Sequence, residues 1–375
     1  MGDVAVPYGD LELATSQMAS ALGVLGVGVG DRVAVMLPNM PEFLVLYYGV
    51  LRVGGIVVPI DPQLQTREVE YYLKDSGASR IFALPDSEHA RSAAAGVGKP
   101  CHTVESTSFM NDLKKHRYRF DLHRSRDADI AVIHYTPGTT GKPKGVALTH
   151  RNLGSNVDVV AQKVFGVNDT DVVLGCLPLS HVFGQTCTMN VAIRQGASLV
   201  LAPQSDPAGA LDAIEEYGVT TLAAGPATYS AMLNQDGAAR ADLSTLRLCV
   251  SGGATLRTEV LVGFEKRFGC AVLEGYGLSE ASPVVTFNQP RRRRRPGSVG
   301  KPIADVRVRL LGKNGAFVGP GEVGEILVRG TNVMRGYWRQ PEATAEVLQD
   351  GWLHTGDLAT CDAGGTYRIV DRKGA

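Results

Sequence analysis

The chain has 375 residues with 38 basic and 38 acidic side chains, so its formal charge is zero. That balance excludes a general electrostatic pull toward nucleic acid or anionic membrane. A hydrophobic share of 44% against 20% charged residues excludes a disordered chain, and the length predicts two or more subdomains.

The six cysteines, Cys101, Cys176, Cys187, Cys249, Cys270 and Cys361, are scattered with no C-x-x-C pair. This pattern reads as free thiols in a reducing, cytoplasmic setting, without zinc-ligand spacing. The N-terminus carries no signal-peptide pattern. Its most apolar stretch, residues 43–60, is broken by Arg52 and three glycines, which predicts a buried helix and strand and not a membrane span.

In chain order, apolar residues at helical spacing predict a helix over 11–25, stopped by a glycine-rich stretch at 26–30. Strands follow at 33–37, 55–60 and 80–84, with helices at 41–53 and 67–75, the second ended by Gly77. Strand alternating with helix predicts a parallel sheet covered on both faces. Residues 86–128 are polar and irregular and read as an exposed excursion.

The apolar run Ile130, Ala131, Val132, Ile133 has the texture of a buried strand and leads into YTPGTTGKPKG at 135–145. Two prolines remove donors, three glycines allow positive φ, and hydroxyls and two lysines remain. Such a loop suits a polyphosphate, although it is not a Walker A sequence. A helix is predicted at 151–165. A second αβ series begins at 171, with strands at 199–201, 222–224, 246–250 and 271–274 and helices at 207–217, 226–234 and 259–268. Its last two strands run into Ser251-Gly252-Gly253-Ala254 and Gly275-Tyr276-Gly277-Leu278-Ser279-Glu280, and in open αβ sheets ligands bind beyond such carboxyl ends. After Pro296, short strands at 306–311, 324–329 and 367–370 predict a β-rich subdomain, antiparallel or barrel-like.

YTPGTTGKPKG, LPLSHVFG (177–184), SGGATL (251–256), GYGLSE (275–280), GEVGEILVRG (321–330), WLHTGDLA (352–359) and YRIVDRK (367–373) occur in that order. The ordered set resembles the adenylate-forming superfamily of acyl-CoA synthetases, luciferases and adenylation domains, over nearly the whole chain. The resemblance implies an α/β fold with two αβ subdomains, mostly parallel sheets flanked by helices, over about 1–296, and a small β-rich subdomain over about 297–370. Residues 371–375 would be a hinge, with the superfamily's mobile C-terminal domain absent and catalysis by this chain accordingly impaired.

The implied chemistry is ATP-dependent activation of a carboxylic acid to acyl-AMP and then acyl-CoA, with ATP, Mg2+ and CoA as cofactor and co-substrates. By resemblance, Thr136, Gly138, Thr139, Thr140, Gly141 and Lys144 hold the β- and γ-phosphates. Pro137 stands where the family usually carries Ser, and Ser279 where Thr is common. Glu280 binds magnesium and Tyr276 packs on adenine. Gly252, Gly253, Ala254, Glu274, Gly275 and Gly277 border the base, Asp357 takes both ribose hydroxyls, and Arg372 makes a second nucleotide contact. Thr136, Lys144, His181 and Glu280 would serve catalysis, His181 beside the acyl carboxylate.

By the same resemblance the pocket walls come from 177–185, 223–229, 251–254 and 276–283, where Ala223, Ala224, Gly225, Ala227, Gly277 and Ala281 are small and apolar. They point to a fatty or aryl acid over an amino acid, and a medium- or long-chain fatty acid is favoured. The alternatives are an acyl-AMP ligase that loads a carrier protein, or a non-catalytic ATP or acyl-adenylate binder. Five consecutive arginines, Arg291 to Arg295, are either a solvated loop or a contact for an anion, a membrane or a carrier protein.

Overall fold

The computed structural model describes residues 5–116, 122–136, 141–203, 206–235, 241–289 and 295–373. The chain divides into two compact units. One runs through His150 and takes in Leu179–His181; the other holds Arg151–Pro178 and the chain from Val182 onward.

The first unit contains β1 (Arg32–Met36), β2 (Ile56–Pro59), β3 (Arg80–Ala83), β4 (Cys101–Thr103), β5 (Ile130–Thr136) and β6 (Lys144–Thr149), in the order β6-β5-β2-β1-β3-β4. Every pair from β5 to β4 is parallel, and β6 returns antiparallel to β5. Val33, Ala34 and Val35 are fully buried in the central strand, as expected for a sheet covered on both faces. The helices Tyr8–Val24, Pro41–Arg52 and Thr66–Ser76 answer to the spans expected at 11–25, 41–53 and 67–75, the first beginning a turn earlier; Gly77 closes the third in the left-handed region.

The predicted excursion over 86–128 is a correction. It contains the helix Glu88–Gly96, strand β4 and the helix Ser106–Leu113. Ala90, Ala93 and Ala94 are buried, and three methyl groups at helical spacing carry too little apolar area to show as an amphipathic stripe.

In the second unit, β7 (Val172–Gly175), β8 (Ser198–Leu201), β9 (Thr221–Ala224), β10 (Leu248–Ser251), β11 (Val272–Gly277), β12 (Val284–Phe287) and β13 (Lys301–Pro302) form a sheet ordered β13-β12-β11-β10-β9-β7-β8. It is parallel from β8 through β11 and antiparallel beyond. Ala224 and Tyr229 belong to its hydrophobic core, and the Tyr229 hydroxyl donates to the Val250 carbonyl at 2.8 Å. Tyr229 is therefore a tie between β9 and β10 and not a wall presented to an acid.

The same unit carries a five-stranded antiparallel sheet. Its strands are β14 (Val306–Leu311) and β15 (Gly324–Gly330), then, after the two-residue β16 (Gly336–Tyr337), β17 (Leu348–Gln349), β18 (Trp352–Cys361) and β19 (Tyr367–Arg372). The order is β14-β15-β18-β17, with β19 also on β18. No described helix is long and apolar enough to cross a membrane.

Candidate functional site

The site is built at the carboxyl ends of β10 and β11. The two strands are parallel neighbours with Ser251 opposite Glu274, so Gly252-Gly253-Ala254 leaves the sheet beside Gly275-Tyr276-Gly277, which continues β11 as the partner of β12. Gly252 is approached closely by a ring: a Cβ there would lie 3.1 Å from Phe183 Cζ. That packing joins the LPLSHVFG and SGGATL motifs. Glu274 is buried, and its carboxylate accepts the Gly297 N–H at 3.0 Å. Glu274, expected to border the base, has a structural part here: it ties β11 to the turn before β13.

After β11 the chain makes one short turn, Ser279–Ala281, before β12. Ser279 is buried. Glu280 is half-buried; its Oε1 accepts the Tyr337 hydroxyl at 2.9 Å, and its carbonyl accepts the Met334 N–H at 2.8 Å. Burial and this carboxylate together push the Tyr337 phenol upward, so it stays a donor.

Asp357 comes from the other sheet, through a bulge. Between the pairs Glu325–Leu358 and Leu327–His354, the single residue Ile326 of β15 faces Thr355, Gly356 and Asp357 of β18. Gly356 adopts φ +76° there, a conformation a β-carbon would strain. The bulge brings Asp357 Oδ2 within 2.6 Å of the Tyr276 hydroxyl, which donates to it. Arg372, opposite Asp357 on β19, places Nε 3.8 Å from the other carboxylate oxygen. Burial, then Asp357, raises the Tyr276 phenol well above its ordinary range, so this donor is never ionised at neutral pH. Tyr276, Asp357 and Arg372, separated by up to 96 positions in sequence, form one cluster (372 minus 276).

The remaining expected residues lie in the first unit or outside the described chain. Thr136 ends β5 and Lys144 begins β6, directly opposite each other in the ladder, so they flank the mouth of the glycine-rich loop. Gly141 is exposed. Pro137, Gly138, Thr139 and Thr140 lie outside the described residues, as do Arg291 to Arg294. Arg295 pairs with Asp362 at 2.9 Å on the surface. His181 has solvent contact, yet the surrounding protein lowers its imidazole from the ordinary value, with Asp61 opposing that shift. All six cysteines are free thiols.

Among the described residues, no group of three His, Cys, Asp or Glu side chains could hold a metal ion. A lone carboxylate such as Glu280 nevertheless fits magnesium, a hard cation that takes one or two protein carboxylates and draws its other oxygens from phosphate and water.

Sequence reasoning missed Tyr337 and Glu325. Tyr337 sits in an ordinary turn string, GYW, with nothing in its spacing to link it to Glu280. Glu325 was part of a recognised motif, GEVGEILVRG, but only burial distinguishes it from a surface strand carboxylate.

Parallel strands with glycine-marked carboxyl ends, one of them presenting Tyr276 to a carboxylate and a guanidinium from the antiparallel sheet, have the architecture of an αβ enzyme body that takes its ligand beyond the strand ends. The chain belongs to the AMP-binding enzyme family, which matches residues 2–338. A long-chain-fatty-acid–CoA ligase of Bacillus subtilis (strain 168) is 37% identical over 394 residues, covering 95% of this chain and 70% of that protein. A feruloyl-CoA synthase of Amycolatopsis sp is 36% identical, over 99% of this chain and 74% of the relative. Among solved structures, ATP-bound MatB from Rhodopseudomonas palustris superimposes with a TM-score of 0.90 at 31% identity, covering 97% of this chain and 73% of that one.

Proposed function

We propose that this chain binds ATP and a medium- or long-chain fatty acid and belongs to an acid–thiol ligase that forms acyl-AMP and then acyl-CoA. The observation that carries the reading is the 2.6 Å hydrogen bond from Tyr276 to Asp357, because it unites the β11 exit with the bulge of β18. An aromatic face for adenine stands beside an acceptor-only carboxylate for the ribose hydroxyls.

In the first half-reaction an oxygen of the acid's carboxylate attacks the α-phosphorus, and pyrophosphate leaves with the electron pair of the broken P–O bond. Two anions meet, so the protein's task is neutralisation and alignment. Lys144 supplies a cation for the phosphates. Glu280, held by Tyr337, orients one carboxylate toward the triphosphate. Bound magnesium would neutralise charge on the phosphate oxygens. No general base is required, since the acid is already ionised at neutral pH. The thiol of CoA then attacks the acyl carbonyl and AMP departs.

The fatty-acid assignment is supported by the small, uncharged residues at the β9, β10 and β11 exits and by similarity to the fatty-acid ligase. An aryl acid is the second reading, supported by similarity to the feruloyl-CoA synthase. Calorimetry with ATP, magnesium and a panel of fatty, aryl and amino acids, read together with pyrophosphate release, separates the two. Synergy of ATP with amino acids alone would refute both.

The phosphate role of Lys144 has its own test. Lys144→Ala should weaken ATP about tenfold or more, the worth of a charge-assisted hydrogen bond, while leaving AMP affinity within about twofold. Equal losses for ATP and AMP would remove Lys144 from the phosphate site.

A further inference from the structure

Glu325 is a charged side chain that the chemistry above does not use. It lies in the middle of the second unit's antiparallel sheet, 4% exposed. A carboxylate so placed is costly unless every lone pair finds a donor. Three donors converge on it. Gly356 N–H donates to Oε1 at 3.1 Å. Lys373 Nζ donates to Oε2 at 2.8 Å, and His354 Nδ1 lies 3.2 Å from the same oxygen. Burial alone would raise this carboxyl, but Lys373, His354 and the Gly356 N–H outweigh it and hold it below the ordinary Glu value.

These partners are the neighbours of the nucleotide cluster. His354 precedes the bulge that carries Asp357 and Gly356 lies within it, and Lys373 follows Arg372. The Lys373 N–H also donates to the Gly356 carbonyl at 2.8 Å. Gly356, the residue before Asp357, is therefore held at both of its backbone groups, its N–H by Glu325 and its carbonyl by Lys373. A buried anion is an expensive way to brace a turn, and one that fixes a single geometry.

We propose that Glu325 is a positioning residue for ribose recognition: by clamping Gly356 and Lys373 it sets the height and direction of the Asp357 carboxylate between Tyr276 and Arg372. The inference rests on the reading of Asp357 as the ribose acceptor and assigns the residue that aims it.

The test compares AMP with 2′,3′-dideoxy-AMP by calorimetry on the full chain, with thermal unfolding to establish that each variant is folded. The intact protein should prefer AMP by about tenfold, because charge-assisted bonds to the ribose hydroxyls are lost with the dideoxy ligand. Asp357→Ala should erase that preference. Glu325→Ala should erase it too, with Asp357 still present, whereas a general loosening of the fold would weaken both ligands equally. Glu325→Gln keeps an acceptor for Gly356 but loses the Lys373 pair, and should leave a preference of about threefold. It decides the question if the alanine variant does not fold. A folded Glu325 variant that keeps the intact preference overturns the inference while Asp357→Ala upholds the ribose reading. Retention of the preference in Asp357→Ala overturns the ribose reading and the inference with it.

Discussion

Gly277→Ala is expected to abolish nucleotide binding and to lower the unfolding midpoint of the protein. A β-carbon at this position would lie 2.1 Å from the Pro283 carbonyl oxygen, 2.8 Å from its carbon and 3.2 Å from Val284 Cα. All three are backbone atoms, so no side-chain rotation relieves the overlap. The same Pro283 carbonyl accepts the Leu278 N–H at 3.1 Å, and Gly277 pairs with Val284 across the β11–β12 ladder. To admit a methyl group the hairpin must open exactly where it carries Tyr276 on one side and Glu280 on the other. Overpacking of this kind costs about 3 kcal/mol, and here the displaced backbone bears both the proposed adenine ring partner and the proposed metal carboxylate. Calorimetry with AMP and thermal unfolding read the two effects. A variant that binds AMP within threefold of the parent protein would show that the β11 exit does not carry the nucleotide.

The elements most legible in the sequence are those whose chemistry forbids alternatives. The helix at Pro207–Tyr217 and the antiparallel strand Val306–Leu311 match the expected spans, because a proline at the first turn and a clean change of texture after Pro296 leave little choice. The β11 exit was readable only in part: the strand expected to stop at 274 continues through Gly275-Tyr276-Gly277 as the partner of β12 and ends at Leu278-Ser279-Glu280. What stayed hidden is contact across the sheet. Strand β18, ten residues long, was met as a motif and not as a strand, since its Gly and Asp weaken β-propensity at the very bulge that aims Asp357. The helix built on Ala90, Ala93 and Ala94 escaped because alanine is nearly neutral in hydropathy. The donation from Tyr337 to Glu280 and the clamp at Glu325 are facts of burial and geometry, and no one-dimensional spacing encodes either.

Asp171→Asn should destabilise the second unit by about 3 kcal/mol, although Asp171 belongs to no motif and touches no proposed ligand. Its side chain sits just before β7, 3% exposed. Arg247 Nε and Nη2 donate to its two oxygens at 2.7 and 2.6 Å, the Thr220 hydroxyl donates at 2.7 Å, and the Asn168 N–H donates at 2.9 Å. Arg247 also donates to the carbonyls of Phe165 and Gly166. One carboxylate thus ties the end of the preceding helix to the starts of β7, β9 and β10. Asparagine keeps the shape but offers one acceptor oxygen and turns an N–H2 toward donors. Removing one partner of a buried, multiply bonded ion pair costs about 3 kcal/mol.

The pH dependence follows from the same contacts. Burial raises the Asp171 carboxyl, but Arg247, Thr220 and the Asn168 N–H overcome it and hold the group below the ordinary Asp value. A depressed native pKa adds stability above the unfolded-state value of about 4, and that stability is lost as pH falls through the native value. The gap between the parent protein and Asp171→Asn, measured as urea midpoints, should be full at pH 7 and shrink below about pH 4. Equal midpoints at pH 7 would mean that Arg247 is satisfied by Phe165 and Gly166 alone. In that case the strand starts are registered by their ladders, and the carboxylate is an occupant of the junction and not its anchor.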